Sequence, residues 1–133
     1  MNESRIDRLL ASLKSGDATR IKALCHPEML VEDPESLPYG GAYRGFAGMC
    51  EVAGKLFTAI EDWKCETERV IGDPDGDDFV LVQRMTGIAA GSRRPVDMSI
   101  LERYTFRDGL LVSIRPYYWD TKAMLDTLNG SGR

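Results

Sequence analysis

Four runs decide the fold: W-K-C-E-T-E-R-V-I at 63–71, F-V-L-V-Q-R-M-T-G-I at 79–88, V-D-M-S-I-L-E-R-Y-T-F at 96–106 and L-L-V-S-I-R-P-Y-Y-W at 110–119. Each has strand length and is rich in the β-branched and aromatic residues that suit a pleated, half-buried surface. Their separators, G-D-P-D-G-D at 72–77, A-G-S-R at 90–93 and R-D-G at 107–109, are turn chemistry short enough for antiparallel hairpins. The second half of the chain is therefore a meander.

Upstream, the period changes to that of helices. Ile6, Leu9, Leu10 and Leu13 predict a helix over Glu3–Ser15, which Gly16 stops; Asp17 then caps a short second helix with Ala18, Ile21 and Leu24 inward. His26-Pro27 ends that helix and puts His26 in an exposed inter-helix turn. Met29, Leu30 and Val31 read as a short strand, residues 34–45 as a Pro- and Gly-rich loop, and Phe46–Ile60 as a third helix. A last helix spans Thr121–Leu128, with Asp120 its simplest N-cap. Helices segregated from consecutive hairpins place the chain in the α+β class, a curved antiparallel sheet wrapped around a long N-terminal helix with a hollow between the layers.

Composition narrows the function. The 133 residues suit one domain, 1–133, since domains run to about 100–200 residues. Lys plus Arg number 17 against 21 Asp plus Glu, an acidic balance that argues against nucleic acid as a partner. No apolar run approaches the roughly 18 residues of a membrane helix, and no signal segment stands at Met1. Cys25, Cys50 and Cys65 are widely spaced, which excludes a Cys-rich zinc site and suits reduced thiols in the cytoplasm. With a single His, no metal is expected.

Strand parity proposes the faces. With the hairpin centred near Gly91, residues 80, 82, 84 and 86 pair opposite 102, 100, 98 and 96. Val82 and Arg84 then share an inward face with Met98, Ile100, Glu102 and Tyr104. Phe79, Leu81, Met85, Leu101 and Leu111 fall on the other face, an apolar surface that predicts a homodimer through the sheet. A one-residue slip would turn Arg84 outward.

The motifs V-E-D-P at 31–34, Y-G-G-A-Y-R-G at 39–45, E-R-Y-T-F-R-D-G at 102–109 and P-Y-Y-W-D at 116–120 together resemble the nuclear transport factor 2-like superfamily. Within it, the pattern is most similar to the SnoaL-like polyketide cyclase and ketosteroid isomerase branch. The resemblance covers nearly the whole chain and implies a cone-shaped (cystatin-like) roll with an internal pocket. Its members include isomerases, dehydratases, cyclases, epoxide hydrolases and adaptor modules, so fold alone does not fix function.

Asp33 holds the position of the ketosteroid isomerase base, at a strand end facing the hollow, where desolvation raises a carboxylate toward general-base range. An Asp before Pro is also a common turn initiator. Glu102 holds the offset of the family's neutral oxyanion-hole acid, four residues before Phe106; on the solvent face it would instead be an ordinary salt-bridging Glu. The resemblance departs in the first helix. The isomerases carry a donor tyrosine eight residues before the position of Asp17, and this chain has Leu9. Tyr39, Tyr43, Tyr104 and Tyr118 are the phenols left for that role. An inward Arg84 would keep the carboxylates ionised and favour polar or anionic ligands.

Trp63, Tyr118 and Trp119 are core or pocket wall, and Asp120 is a minor alternative base. The resemblance thus implies a cofactor-independent enzyme acting on a hydrophobic carbonyl, enone or epoxide. Asp33 and Glu102 would be catalytic, with Tyr39, Trp63, Val82, Arg84, Met98, Ile100, Tyr104, Tyr118 and Trp119 around the substrate. The alternative is a non-catalytic ligand-binding or assembly module.

Overall fold

The computed structural model describes residues 4–132. Local sequence opens and closes its first helices. Ser4 Oγ accepts the Asp7 amide (3.1 Å) and the Asp7 carboxylate accepts the Ser4 amide (3.4 Å), a capping box for α1 (Arg5–Ser15). Gly16 ends it at φ 67°, and the Asp17 carboxylate accepts the Thr19 and Arg20 amides to open α2 (Ala18–Leu24). There follow β1 (Cys25–Asp33), β2 (Gly41–Arg44) and α3 (Gly45–Ala59). The meander is β3 (Ile60–Ile71), β4 (Asp78–Ala89), β5 (Pro95–Arg107) and β6 (Leu110–Tyr118), closed by α4 (Thr121–Asn129), whose N-cap is Asp120.

The chain is α+β with a curved, unclosed sheet in the order β2-β1-β6-β5-β4-β3. All neighbours are antiparallel except β1 and β6, which run parallel, so the sheet is mixed. Three local expectations need correction. A four-residue strand lies inside the expected loop, and His26 stands in β1, its Nδ1 accepting the Glu28 amide at 3.0 Å, rather than in a turn between helices. The N-terminal helix has 11 residues; the longest is α3, with 15, which packs against β1, β2 and β3.

Bulges bend the strands. Register shifts fall between Glu61 and Lys64 and between Thr67 and Arg69 where β3 meets β4, and between Thr105 and Phe106 where β5 meets β6. At the first of these, β3 folds close over β4. A Cβ on Gly87 would stand 2.5 Å from Ile60 Cγ2 and 2.8 Å from the Glu61 carbonyl oxygen, so only glycine fits. The core joins Ile6 and Leu9 of α1 to Leu81, Ile100, Tyr104 and Ile114 of the concave sheet face, with Met124 and Leu128 of α4.

Candidate active site

A cavity of about 560 Å³ lies between the concave sheet face and helices α1 to α3. Its helical wall is greasy, with Leu10, Leu13, Ile21, Phe46, Met49 and Leu56. Its sheet wall carries the chemistry: Asp33, Cys65, Gln83, Glu102, Tyr104 and Tyr118. Polar groups gathered at one end of an apolar hollow orient a ligand as well as bind it.

Asp33 is the last residue of β1, opposite Gly41 and held before Pro34. Burial lifts its carboxyl to about 6. Glu102 projects from β5, where its Oε1 accepts the Gln83 side-chain amide and faces the Tyr104 hydroxyl at 3.4 Å. Burial, and then the charge on Asp33, lift it to about 7. Among the described residues no cation contributes to either shift; burial alone raises Asp33, and the charge on Asp33 adds to burial in raising Glu102.

Phenols complete the sheet wall. The hydroxyls of Tyr118 and Tyr39 stand 2.7 Å apart with ring centroids 6.4 Å apart; Tyr118 lines the cavity and Tyr39 is buried behind it. Burial raises both phenols far above their usual range, so each stays a donor. A tight turn sets Tyr39. Gly40 donates its amide to the Leu37 carbonyl (2.9 Å), and a Cβ there would lie 2.1 Å from the Pro34 oxygen. Trp63 adds a buried indole N–H with no hydrogen-bond partner, beside the edge of Phe57.

The model of the SnoaL-like domain matches residues 6–114 of the chain. The chain belongs to the SnoaL-like domain family. Solved structures share the fold of this SnoaL-like domain at low sequence identity. TerC, co-crystallised with polyporic acid, is 21% identical over 92% of this chain and 96% of its own, with a TM-score of 0.77. An NTF2-like protein from Burkholderia thailandensis E264 is 13% identical over 98% of this chain and 100% of its own, with a TM-score of 0.80. A protein of ketosteroid isomerase-like fold from Catenulispora acidiphila DSM 44928, in complex with trimethylamine, is 14% identical over 98% of this chain and 96% of its own, with a TM-score of 0.74. No curated protein gives a match.

Residues expected at the site divide into two groups. In this SnoaL-like domain Asp33, Glu102, Trp63, Ile100, Tyr104 and Tyr118 line the cavity. Val82, Arg84, Met98 and Trp119 do not, and Tyr39 reaches it only through Tyr118. The reason for Val82 and Arg84 is register: Gln83 pairs with Ile100 and Val82 with Leu101, one residue from the expected alignment. Residues 90–94 connect β4 to β5, with Arg93 at φ 64°, and the pairing of Ile88 with Pro95 and Gly87 with Val96 centres the hairpin between Gly91 and Ser92 rather than on Gly91. Arg84 accordingly points outward and pairs with Asp97 and with Glu68 (3.8 Å).

Met98 has the inward parity but pairs with Met85 in the closed core beyond Ile100. Trp119 follows the last strand and is 85% exposed. The same slip moves Phe79, Leu81 and Met85 to the covered side, where Leu111 also lies buried; of the five residues expected to form an apolar outer face, only Leu101 is there. Gln83 was missed. Its signal was present, since Phe79, Leu81 and Met85 share its parity and are too apolar to face water.

Proposed function

We propose that the protein is a small, cofactor-independent enzyme that moves a proton on a hydrophobic carbonyl, enone or epoxide substrate. The observation that carries this is the placement of Asp33 and Glu102 on the sheet wall of one mostly apolar cavity, whose lining lysine, Lys14, stands on the helical wall and contributes to neither carboxyl's shift. With values of about 6 and 7, the two carboxyls hold one proton between them midway, at about pH 6.5, and it resides mainly on Glu102. Asp33 is the ionised base that takes a proton from carbon next to the carbonyl. Glu102 is the neutral acid that donates to the oxygen as it gains charge, with the Tyr118 hydroxyl beside it, the combination that general acid–base and oxyanion catalysis require. Returning the proton to another carbon completes an isomerisation. Expelling a leaving group from the same enolate gives a dehydration, and its attack on a second carbonyl gives a cyclisation.

Structures of the same fold were crystallised with small molecules, TerC with polyporic acid and the ketosteroid isomerase-like protein with trimethylamine, which supports a small-molecule ligand for the cavity. A non-catalytic ligand-binding module is the second reading, favoured by Leu9, which stands in the core where the isomerases have a donor tyrosine. We further place the protein in the cytoplasm as a homodimer. The free thiols of Cys25, Cys50 and Cys65 fit a reducing compartment. The dimer surface is the outer sheet face around Leu101 and Tyr117, which pair across β5 and β6, with Trp119 next to them.

A thermal-shift screen of hydrophobic ketones and enones, followed by turnover assays on the hits, separates the readings. Asp33→Asn is expected to keep the ligand response and to lose turnover by about 10²- to 10⁴-fold. A variant with unchanged turnover removes Asp33 from the chemistry, and binding without turnover in the native protein favours the module.

A further inference from the structure

We infer that Gln83 is a positioning residue that fixes which oxygen of Glu102 meets a ligand, and so makes Glu102 a donor toward a ligand's acceptor oxygen. The inference rests on the acid–base reading of the cavity. Gln83 is a buried polar side chain, 4% exposed, on the concave face of β4. Its Oε1 accepts from the Cys65 thiol (3.2 Å) and the Thr67 hydroxyl (3.2 Å), both on β3. Those partners have protons to give, the Cys65 thiol being pushed up to about 12 by burial. The thiol and the hydroxyl can both donate to the amide oxygen, and an ionised Glu102 on the other side can only accept, so the orientation that serves all three partners sets oxygen toward β3 and nitrogen toward β5.

The Gln83 Nε2 therefore donates to Glu102 Oε1, the atom the Tyr104 hydroxyl also approaches. With Oε1 taken by donors, the oxygen left for the proton of a neutral Glu102, and for a ligand in the cavity that Glu102 lines, is Oε2. A neutral amide suits this task. It orients the carboxyl without supplying the positive charge that would strip its proton. The other titratable groups around Glu102 are Asp33 from β1, Cys65 from β3, Tyr104 on its own strand and Tyr118 from β6. Lys14 of α1 and Cys50 of α3 lie on the helical wall of the same cavity.

The test is an NMR titration of the ligand-free protein, following the ¹³C-labelled Glu carboxyls and the ¹⁵N side-chain amides between pH 4 and 9. The Gln83 amide is expected to shift with the same midpoint as the Glu102 carboxyl. In Gln83→Met, which removes the donor but keeps the volume, that midpoint moves up by about one pH unit. A merely structural role would lower the melting temperature and leave the midpoint in place. A Gln83 amide that is silent through the Glu102 transition, or a folded Gln83→Met with the native midpoint, would overturn the proposal. Should that variant not fold, the native amide titration decides alone.

Asp33→Asn keeps the two levels apart. It lowers the Glu102 midpoint if the carboxyls act on each other, and an unmoved midpoint sinks the acid–base pair while leaving the Gln83 link standing. With 2-cyclohexen-1-one as probe, binding is stronger below the Glu102 midpoint than above it. A response that does not change across the midpoint would overturn the donor assignment.

Discussion

Glu102 carries its charge at a cost to the folded state. Its carboxyl rises from 4.5 to about 7 on folding, so the folded protein binds its proton more tightly than the unfolded chain does. The stability this contributes is complete below about pH 4.5 and is lost as the pH climbs through about 7. Glu102→Gln keeps an acceptor for the Gln83 amide and never ionises. It should therefore match the native stability near pH 4.5 and exceed it at pH 8, by an amount on the order of 3 kcal/mol, with a correspondingly higher melting temperature. Parallel melting curves at the two pH values check this, and an advantage that does not grow with pH would remove the charge cost. Sites of chemistry commonly trade stability in this way. The two acids differ in how openly the sequence announces them. Asp33 stands in a motif and at a strand end, both local features, whereas the inward position of Glu102 follows from alternation with Ile100 and Tyr104 along one strand.

Strands and turns set where those side chains point. The meander is legible because every β-rich run is bounded by turn residues, and the helices because their caps, Gly16, Asp17 and Asp120, are local. Register was not legible, since the connection at 90–94 turns on the left-handed backbone of Arg93, which no residue preference forces. That one position exchanges Arg84 for Gln83 at the cavity and changes a cationic site into a neutral one. Strand β2 was hidden for another reason. G-A-Y-R has little strand preference and is ordered by pairing with β1. The bend over Gly87 offers a test of the element itself. Gly87→Ala drives a methyl into Ile60 and the Glu61 backbone and should cost about 1–3 kcal/mol. Gly91→Ala, whose Cβ would lie 3.6 Å from the Leu128 oxygen, should be close to neutral. Equal melting temperatures for the two variants would show that the bend tolerates a side chain.

Across the whole molecule, the convex side of the sheet is where a second copy would dock. Leu101 (42% exposed), Tyr117 (48%) and Trp119 (85%) lie together there, among Arg84, Arg103 and Arg115. The patch is smaller than the sequence promised, because the residues lost to the covered side were most of its apolar content. Sedimentation at micromolar concentration should give a dimer, and Leu101→Asp combined with Trp119→Ala should give a monomer with its cavity intact. A native protein that sediments as a monomer would leave the patch without this partner.

Since β1 runs parallel to β6, no tight turn can bring them together; the early third of the chain must swing back against the final strand. Asp33 rides on the returning arm and Glu102 on the stack of hairpins it meets. Until β6 is made, nothing in the sheet links the strand that holds Asp33 to the strand that holds Glu102. The meeting of the two acids, on which the proposed chemistry depends, therefore belongs to the completed topology and to no shorter stretch of the chain.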